Sequence, residues 1–380
     1  MLVGISYWIK HKENLNFKNG IVFFLLVHLI YFSHLFIFMV FGLVIFVLLV
    51  FDIIHHTKEN KKPGKRIAWK LFHLICTFSI ALLLVASLLF TTEKFTGNET
   101  SRLAFNELIK WLIDLRGSIT YNYPKEAKIN HIFTILLVGL ILINILLSLK
   151  NKKKVRFQNH FHNPWLWISL ILFFLYFIVP NHLPGRGGHM SVRFIIVFFI
   201  FFSLWLSTRH FPAIIKNMVI LISILTTLLL LSQRISVFRN QSREAKEIVG
   251  YEQSIPKNSI ILPINYSSHW LQLHYSNYLG INRSQVILEN YEASVGTFPL
   301  KWNWQEMPEL LLGKTNKHDI CLNWPNGNNK PEQPVEYIFV WGTKDKKENK
   351  CTKQIDHVLK NHYQEIRETK NARLFKLKSR

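Results

Sequence analysis

IVFFLLVHLIYFSHLFIFMVFGLVIFVLLVF (Ile21–Phe51) runs for 31 residues without Asp, Glu, Lys or Arg. A helix rises about 1.5 Å per residue and the hydrocarbon core of a bilayer is about 30 Å deep, so roughly 20 apolar residues cross it. This run is too long for one upright helix. It is either one strongly tilted span or two short ones broken near YFSH (Tyr31–His34). Further apolar windows follow at Ala68–Thr91, His131–Leu149, Pro164–Pro180, Phe194–Thr208 and Pro212–Leu231, which makes six or seven spans in all.

The net charge of +23 is informative mainly through its position. Lys58, Lys61, Lys62, Lys65, Arg66 and Lys70 crowd one connection, and Lys150, Lys152, Lys153, Lys154 and Arg156 another. Arg209 and Lys216 flank a third. Cytoplasmic connections collect such residues, so these three face inward. Connections 92–130 and 181–193, and everything after Leu231, then face outward. The charge reads as an orientation signal, and no nucleic-acid partner is expected.

After about Arg234 long apolar runs stop and strand and helix patterns alternate. SIILPINY (Ser259–Tyr266), QVILENY (Gln285–Tyr291), EYIFVWG (Glu336–Gly342) and ARLFKLK (Ala372–Lys378) predict strands. SSHWLQLHYSNYLG (Ser267–Gly280) and TKQIDHVLKNHY (Thr352–Tyr363) predict helices, and 303–334 a loop. The expected fold is an α-helical polytopic membrane protein (6–7 spans, residues 1–233) followed by a small extracytoplasmic α/β domain with a partly parallel sheet, residues 234–380. Within loop 92–130, Ser101–Gly117 spaces Phe105, Leu108, Ile109, Leu112 and Leu115 as one apolar helical face. It suits a helix lying in the membrane interface or one packed on the spans.

Several classes drop out. Residues 1–20, with Lys10, Lys12, Glu13 and Lys18, are too polar for a secretory signal. Cys76, Cys321 and Cys351 form no CxxC pair; Cys321 and Cys351 both fall outside the membrane, either bonded or as two thiols. No Walker loop, HExxH, nucleophile elbow or dinucleotide fingerprint occurs, and neither a metal nor a cofactor is expected.

Two stretches carry candidate chemistry. NHLPGRGGHMSVRF (Asn181–Phe194) puts Arg186 and Arg193 in an outward connection with His182, His189, Gly187 and Gly188. Guanidinium groups grip phosphate oxygens and glycines let a ligand approach the backbone, so a lipid phosphate is the natural ligand. The plain reading is an interfacial turn with snorkelling arginines. ENYEASVGTFPLKW (Glu289–Trp302) follows a strand end, where α/β sheets commonly bind ligands. Glu289, Tyr291, Glu292 and Trp302 suit a glycan, or pack the domain. His34 lies within an apolar run, as a functional group or as a bond to a neighbouring helix. Glu107 and Asp114 read as solvated charges of the loop helix.

With YFSH, GRGGHMSVRF and ENYEASVGTFPLKW in this order, the chain resembles the C-terminal part of bacterial GT-C class glycosyltransferases. The resemblance implies membrane lipid, a polyprenyl-phosphate-linked sugar and a glycan or lipid acceptor as partners. It also implies transfer at the outer face of the bacterial cytoplasmic membrane, in cell-envelope glycan assembly. The class carries a catalytic Asp or Glu in its first outer loop; no match precedes Ile21, so no catalytic residue carries over. The alternative is a non-enzymatic membrane protein whose outer domain binds glycan or a partner subunit.

Overall fold

The computed structural model describes residues 1–58, 64–91, 101–150, 162–182, 188–267, 269–289, 302–303, 335–343 and 350–378. They form two compact units, Met1–Gln233 and Arg234–Arg380.

The first unit is helical. In order come α1 (Leu2–His11), α2 (Phe17–Ser33), α3 (Leu35–Lys58), α4 (Gly64–Thr91), α5 (Phe105–Ile113), α6 (Tyr123–Lys150), α7 (Pro164–Ile178), α8 (Met190–Ser207) and α9 (Ala213–Val249). Among the described residues five helices, α3, α4, α6, α8 and α9, are long and apolar enough to cross a membrane; α2 and α7 are apolar but shorter.

The 31-residue run is two helices. His34 between them is extended, with φ −169° and ψ 115°. Local side-chain bonds favour the break: Ser33 Oγ donates to the Ile30 carbonyl (2.8 Å), and His34 Nδ1 accepts from the Phe36 amide (3.2 Å). Beyond the break the chain turns back, and Tyr31 meets Phe38 edge-on with ring centroids 5.4 Å apart. Farther along, Phe23 meets Phe41 at 6.1 Å. Val27, Phe41, Val44, Ile168, Leu172 and Phe201 are fully covered and join these helices to α7 and α8.

The polar N-terminus forms α1, which buries Ile5 and Trp8 against this core. Its end is tied down by charge. Asp52 of α3 accepts from Lys12 and from Lys70 Nζ of α4 (3.2 Å), and Lys70 also reaches Glu13 (2.7 Å). Lys70, counted above as an orientation charge, is 1% exposed. A buried cation is tolerable only while paired.

In α5, Leu108 is buried, and Trp111 and Leu112 pack against the same core. Tyr176 Oη of α7 donates to the Leu108 carbonyl (2.6 Å).

The second unit is a five-stranded sheet in the order β2-β1-β3-β5-β4: β1 (Ile260–Asn265), β2 (Val286–Ile287), β3 (Tyr337–Trp341), β4 (Tyr363–Glu368) and β5 (Ala372–Leu377). β1 is parallel to β2 and β3; β5 is antiparallel to β3 and β4. Both faces are covered. α10 (Lys350–His362) packs Ile355, Val358 and Leu359 on Leu262, Ile264, Ile338 and Val340. Ile248, Tyr251, Ile255 and Leu279 cover Ile261, Phe339 and Leu374 on the other face.

Two expectations are corrected. Ser267–Gly280 is no α-helix; its described residues hold short 3₁₀ turns at Trp270–Gln272 and Tyr275–Gly280. Asn265 Nδ2 takes the Gln272 and Leu273 carbonyls (2.6 and 3.2 Å), which diverts acceptors from a continuous helix. β4 was not expected, because YQEIRE shows no apolar alternation. The strand at Gln285–Tyr291 is reduced to Val286–Ile287, while Asn290, Tyr291 and most of 303–334 lie outside the described residues.

Asp52→Ala leaves Lys70 with a single carboxylate partner, and breaking a buried pair of this kind costs about 3–5 kcal/mol. The expected result is a clear loss of thermal stability in detergent. Asp52→Ala combined with Lys70→Met recovers much of it; a double variant as unstable as the single one shows that the ion pair does not tie α3 to α4.

Candidate functional site

Three connections of the first unit meet at one end: the α2–α3 break, the segment between α5 and α6, and the α7–α8 connection. The first stitch is backbone. Ser101 pairs with His182 as an isolated β-bridge, its carbonyl accepting from the amides of Asn181 and His182 (3.1 and 3.3 Å). Ser101 Oγ also lies 3.2 Å from His182 Nδ1. Asn181 then closes the α7–α8 connection. Its carbonyl accepts from the Met190 amide (3.1 Å) and its Oδ1 from that of Ser191 (3.3 Å).

Two glycines permit the approach. A Cβ on Gly188 would lie 2.4 Å from the His182 ring, and one on Gly117 would lie 2.4 Å from Ile196 Cγ1. Gly117 thereby brings its neighbour Arg116 against α8. His189 adopts a left-handed conformation (φ 63°), uncommon without glycine. The rings of His182 and His189 stand 5.4 Å apart.

The outcome is a patch of positive charge. Burial, then the charges of His182, Arg193 and Arg116, hold the His189 pKa below its ordinary value of 6.5. Burial and Arg193 do the same to His34. Thus His34, Arg116, His182, His189 and Arg193 share one field, though they come from three connections. The three imidazoles are exposed and the two arginines half-buried. Among the described residues neither Arg116 nor Arg193 makes an ion pair.

Beside the patch stands the group that sequence reading had assigned to solvent. Asp114 is 5% exposed. Its carboxylate accepts from Tyr123 Oη and from His131 Nε2 (2.7 Å). Its backbone carbonyl accepts from Asn130 Nδ2 (2.9 Å), which also reaches Ser118 Oγ (2.9 Å). Asp114 is covered because α6 folds back over it. Glu126 fixes the far end of the same segment by accepting from the amides of Thr120, Tyr121 and Asn122 (3.1, 2.7 and 2.9 Å). Arg116, held between, lies over the rings of Tyr123 (5.0 Å) and Trp111 (5.7 Å). The one local sequence signal is Gly117, which follows a left-handed turn at Leu115 (φ 50°). The partners of Asp114 lie too far along the chain to be read locally.

Of the residues expected to hold a lipid phosphate, His189, Arg193 and Gly188 come together here, while Arg186 and Gly187 lie outside the described residues. Of the glycan candidates, Tyr291 and Glu292 also lie outside them. Trp302 packs against the core on the α10 face. Glu289 is buried, 3.7 Å from His274 Nδ1, and its Oε2 has no hydrogen-bond partner. Burial pushes its pKa up to about 8. Among the described residues no group of three His, Cys, Asp or Glu is placed to hold a metal ion. No family model, curated protein or solved structure matches the chain.

A carboxyl whose pKa is raised on folding contributes stability below its ordinary value of 4.5 and loses it as pH climbs through about 8. Denaturation of the full chain, followed by tryptophan fluorescence between those limits, is expected to show falling stability with rising pH. Glu289→Gln flattens that slope; an unaltered slope in the variant assigns the pH dependence to another group.

Proposed function

We propose that the chain is a multi-pass protein of the bacterial cytoplasmic membrane whose outer face holds the phosphate of a lipid-linked sugar, as in the GT-C class glycosyltransferases that it resembles. The five long apolar helices together with the shorter α2 and α7 make seven crossings. An N-terminus inside then leaves the second unit outside. The short helices fit by local thinning of the bilayer. The lysine-rich connections mark the inner side. This topology turns the α2–α3 break and the segments around Arg116 and His189 outward together.

The single observation that carries the reading is that Gly117 sits against Val192 and Ile196 of α8 and so brings Arg116 to the helix end where Arg193 follows His189. Charge-assisted hydrogen bonds from guanidinium groups are the strong way to hold a phosphate. A polyprenyl phosphate released at this patch leaves as an anion that the arginines stabilise. The proton of an acceptor hydroxyl has a recipient nearby, the imidazole of His131, oriented through Nε2 by Asp114 and 44% exposed. Such a carboxylate-held imidazole is the usual form of a general base. The alternative, an outer domain that binds glycan without catalysis, draws on Glu289, a buried carboxyl beside His274 whose Oε2 has no hydrogen-bond partner among the described residues.

Arg116→Gln or Arg193→Gln removes a charged hydrogen bond worth about 1.5–3 kcal/mol, roughly tenfold to a hundredfold in affinity. Titration of the reconstituted chain with a polyprenyl phosphate is expected to show that loss, and wild-type affinity in both variants rules the site out. Because His189 gains its charge only below the ordinary 6.5, binding strengthens as pH falls through and below that value. His189→Gln removes this increment.

A further inference from the structure

An apolar groove of about 790 Å³ runs along the first unit between α6, α8 and α9. Leu136, Leu140, Ile196, Phe199, Val219 and Ile220 form its walls. From Ile215 to Leu230, both on its α9 side, the helix rises about 23 Å. That exceeds one leaflet of a hydrocarbon core about 30 Å deep. Ser118 and Asn130 line one end. The other end differs: Arg209 and Lys216 both line it, and among the described residues no Asp or Glu lines the groove. Arg209 lies over the Trp205 ring, 5.4 Å from its centre, in the connection between α8 and α9.

α6 and α9 are barely packed, each with only 6% of its best apolar window buried. In lipid no hydrophobic force drives such helices together. Nor does an apolar gap of this size fill with water, since its walls offer few polar partners. An empty gap would forfeit the dispersion contacts of its lining. A hydrocarbon chain meets these conditions, and the paired cations at one mouth select its head.

We propose that this groove is the site of one anionic phospholipid of the cytoplasmic leaflet. Its phosphate lies between Arg209 and Lys216, and one acyl chain runs along α8 and α9 beside Leu206 and Val219. The leaflet follows from the sidedness proposed above; the far end of the groove reaches Leu115, Gly117 and Ser118 around Arg116, so the proposed head site at Arg209 and Lys216 lies at the opposite end from the cation patch. The bound lipid joins the apolar part of α9, which is little buried, to the rest of the first unit.

Native mass spectrometry of the full chain, released from detergent after titration with phosphatidylglycerol, phosphatidylcholine or a polyprenyl phosphate, tests this. One phosphatidylglycerol is expected to be retained per chain, at concentrations about tenfold below those needed for phosphatidylcholine. Arg209→Gln with Lys216→Gln abolishes that preference. Val219→Trp, which fills the groove and leaves both charges, loses the bound lipid altogether and guards against a charge variant that fails to fold. Arg116→Gln with Arg193→Gln keeps the phosphatidylglycerol, so failure of the outer-face reading leaves this result intact. Equal retention of the two phospholipids overturns the proposal. So does retention unchanged by Val219→Trp, stronger retention of polyprenyl phosphate lost with Arg209→Gln, or a dimer in place of the lipid-bound monomer.

Discussion

The carboxylate of Asp114 organises the candidate site. It draws Tyr123 and His131 of α6 onto the end of α5, while its own carbonyl holds Asn130. The short segment between the two helices is therefore fixed at its start, and Glu126 fixes it again at its finish. Arg116 rides on this anchored turn, and Gly117 lets the turn sit directly on α8. The buried carboxylate, Gly117 and Glu126 together set Arg116 beside the start of α8. One group thus helps to place a cation and orients an imidazole.

The two ends of the first unit treat charge differently. At one end Lys12 and Lys70 face Asp52 and Glu13, so two cations meet two anions and the cluster is close to neutral. At the other end Arg116 and Arg193 stand with three histidines, and Asp114 is engaged with Tyr123 and His131. The lysines and arginines crowded at 58–70 and 150–156 give the opposite impression when read along the chain. Among the described residues Arg116 and Arg193 make no ion pair, whereas Lys12 and Lys70 do.

Much of the architecture was legible because its signals are local. Apolar runs of membrane length announce the helices, and YFSH contains the very side chains that satisfy the broken backbone at His34. Strands β1, β3 and β5 show as β-rich runs between turns. The glycines of GRGGHMSVRF suggested room for a ligand at the backbone; at Gly188 the neighbour is the His182 ring of the same connection. What stayed hidden depends on partners distant in sequence. Asp114 looks like any helix-surface acid until α6 covers it. Lys70 looks like an orientation charge until α1 and α3 close around it. β4 is legible only as the edge partner of β5, since its own residues are mostly polar. Ser267–Gly280 has helical composition, yet the Asn265 side chain competes for its carbonyls.

The one-residue joint at His34 also couples the two helices that it links. α2 and α3 have no slack between them, and their facing rings, Tyr31 with Phe38 and Phe23 with Phe41, meet only when both helices lie side by side. α2 on its own is a poor membrane segment, 17 residues long with Lys18 in its first turn. It gains a stable place beside α3, which is longer and strongly apolar. A change at the joint that altered the angle between α2 and α3 would therefore unmake both ring contacts together.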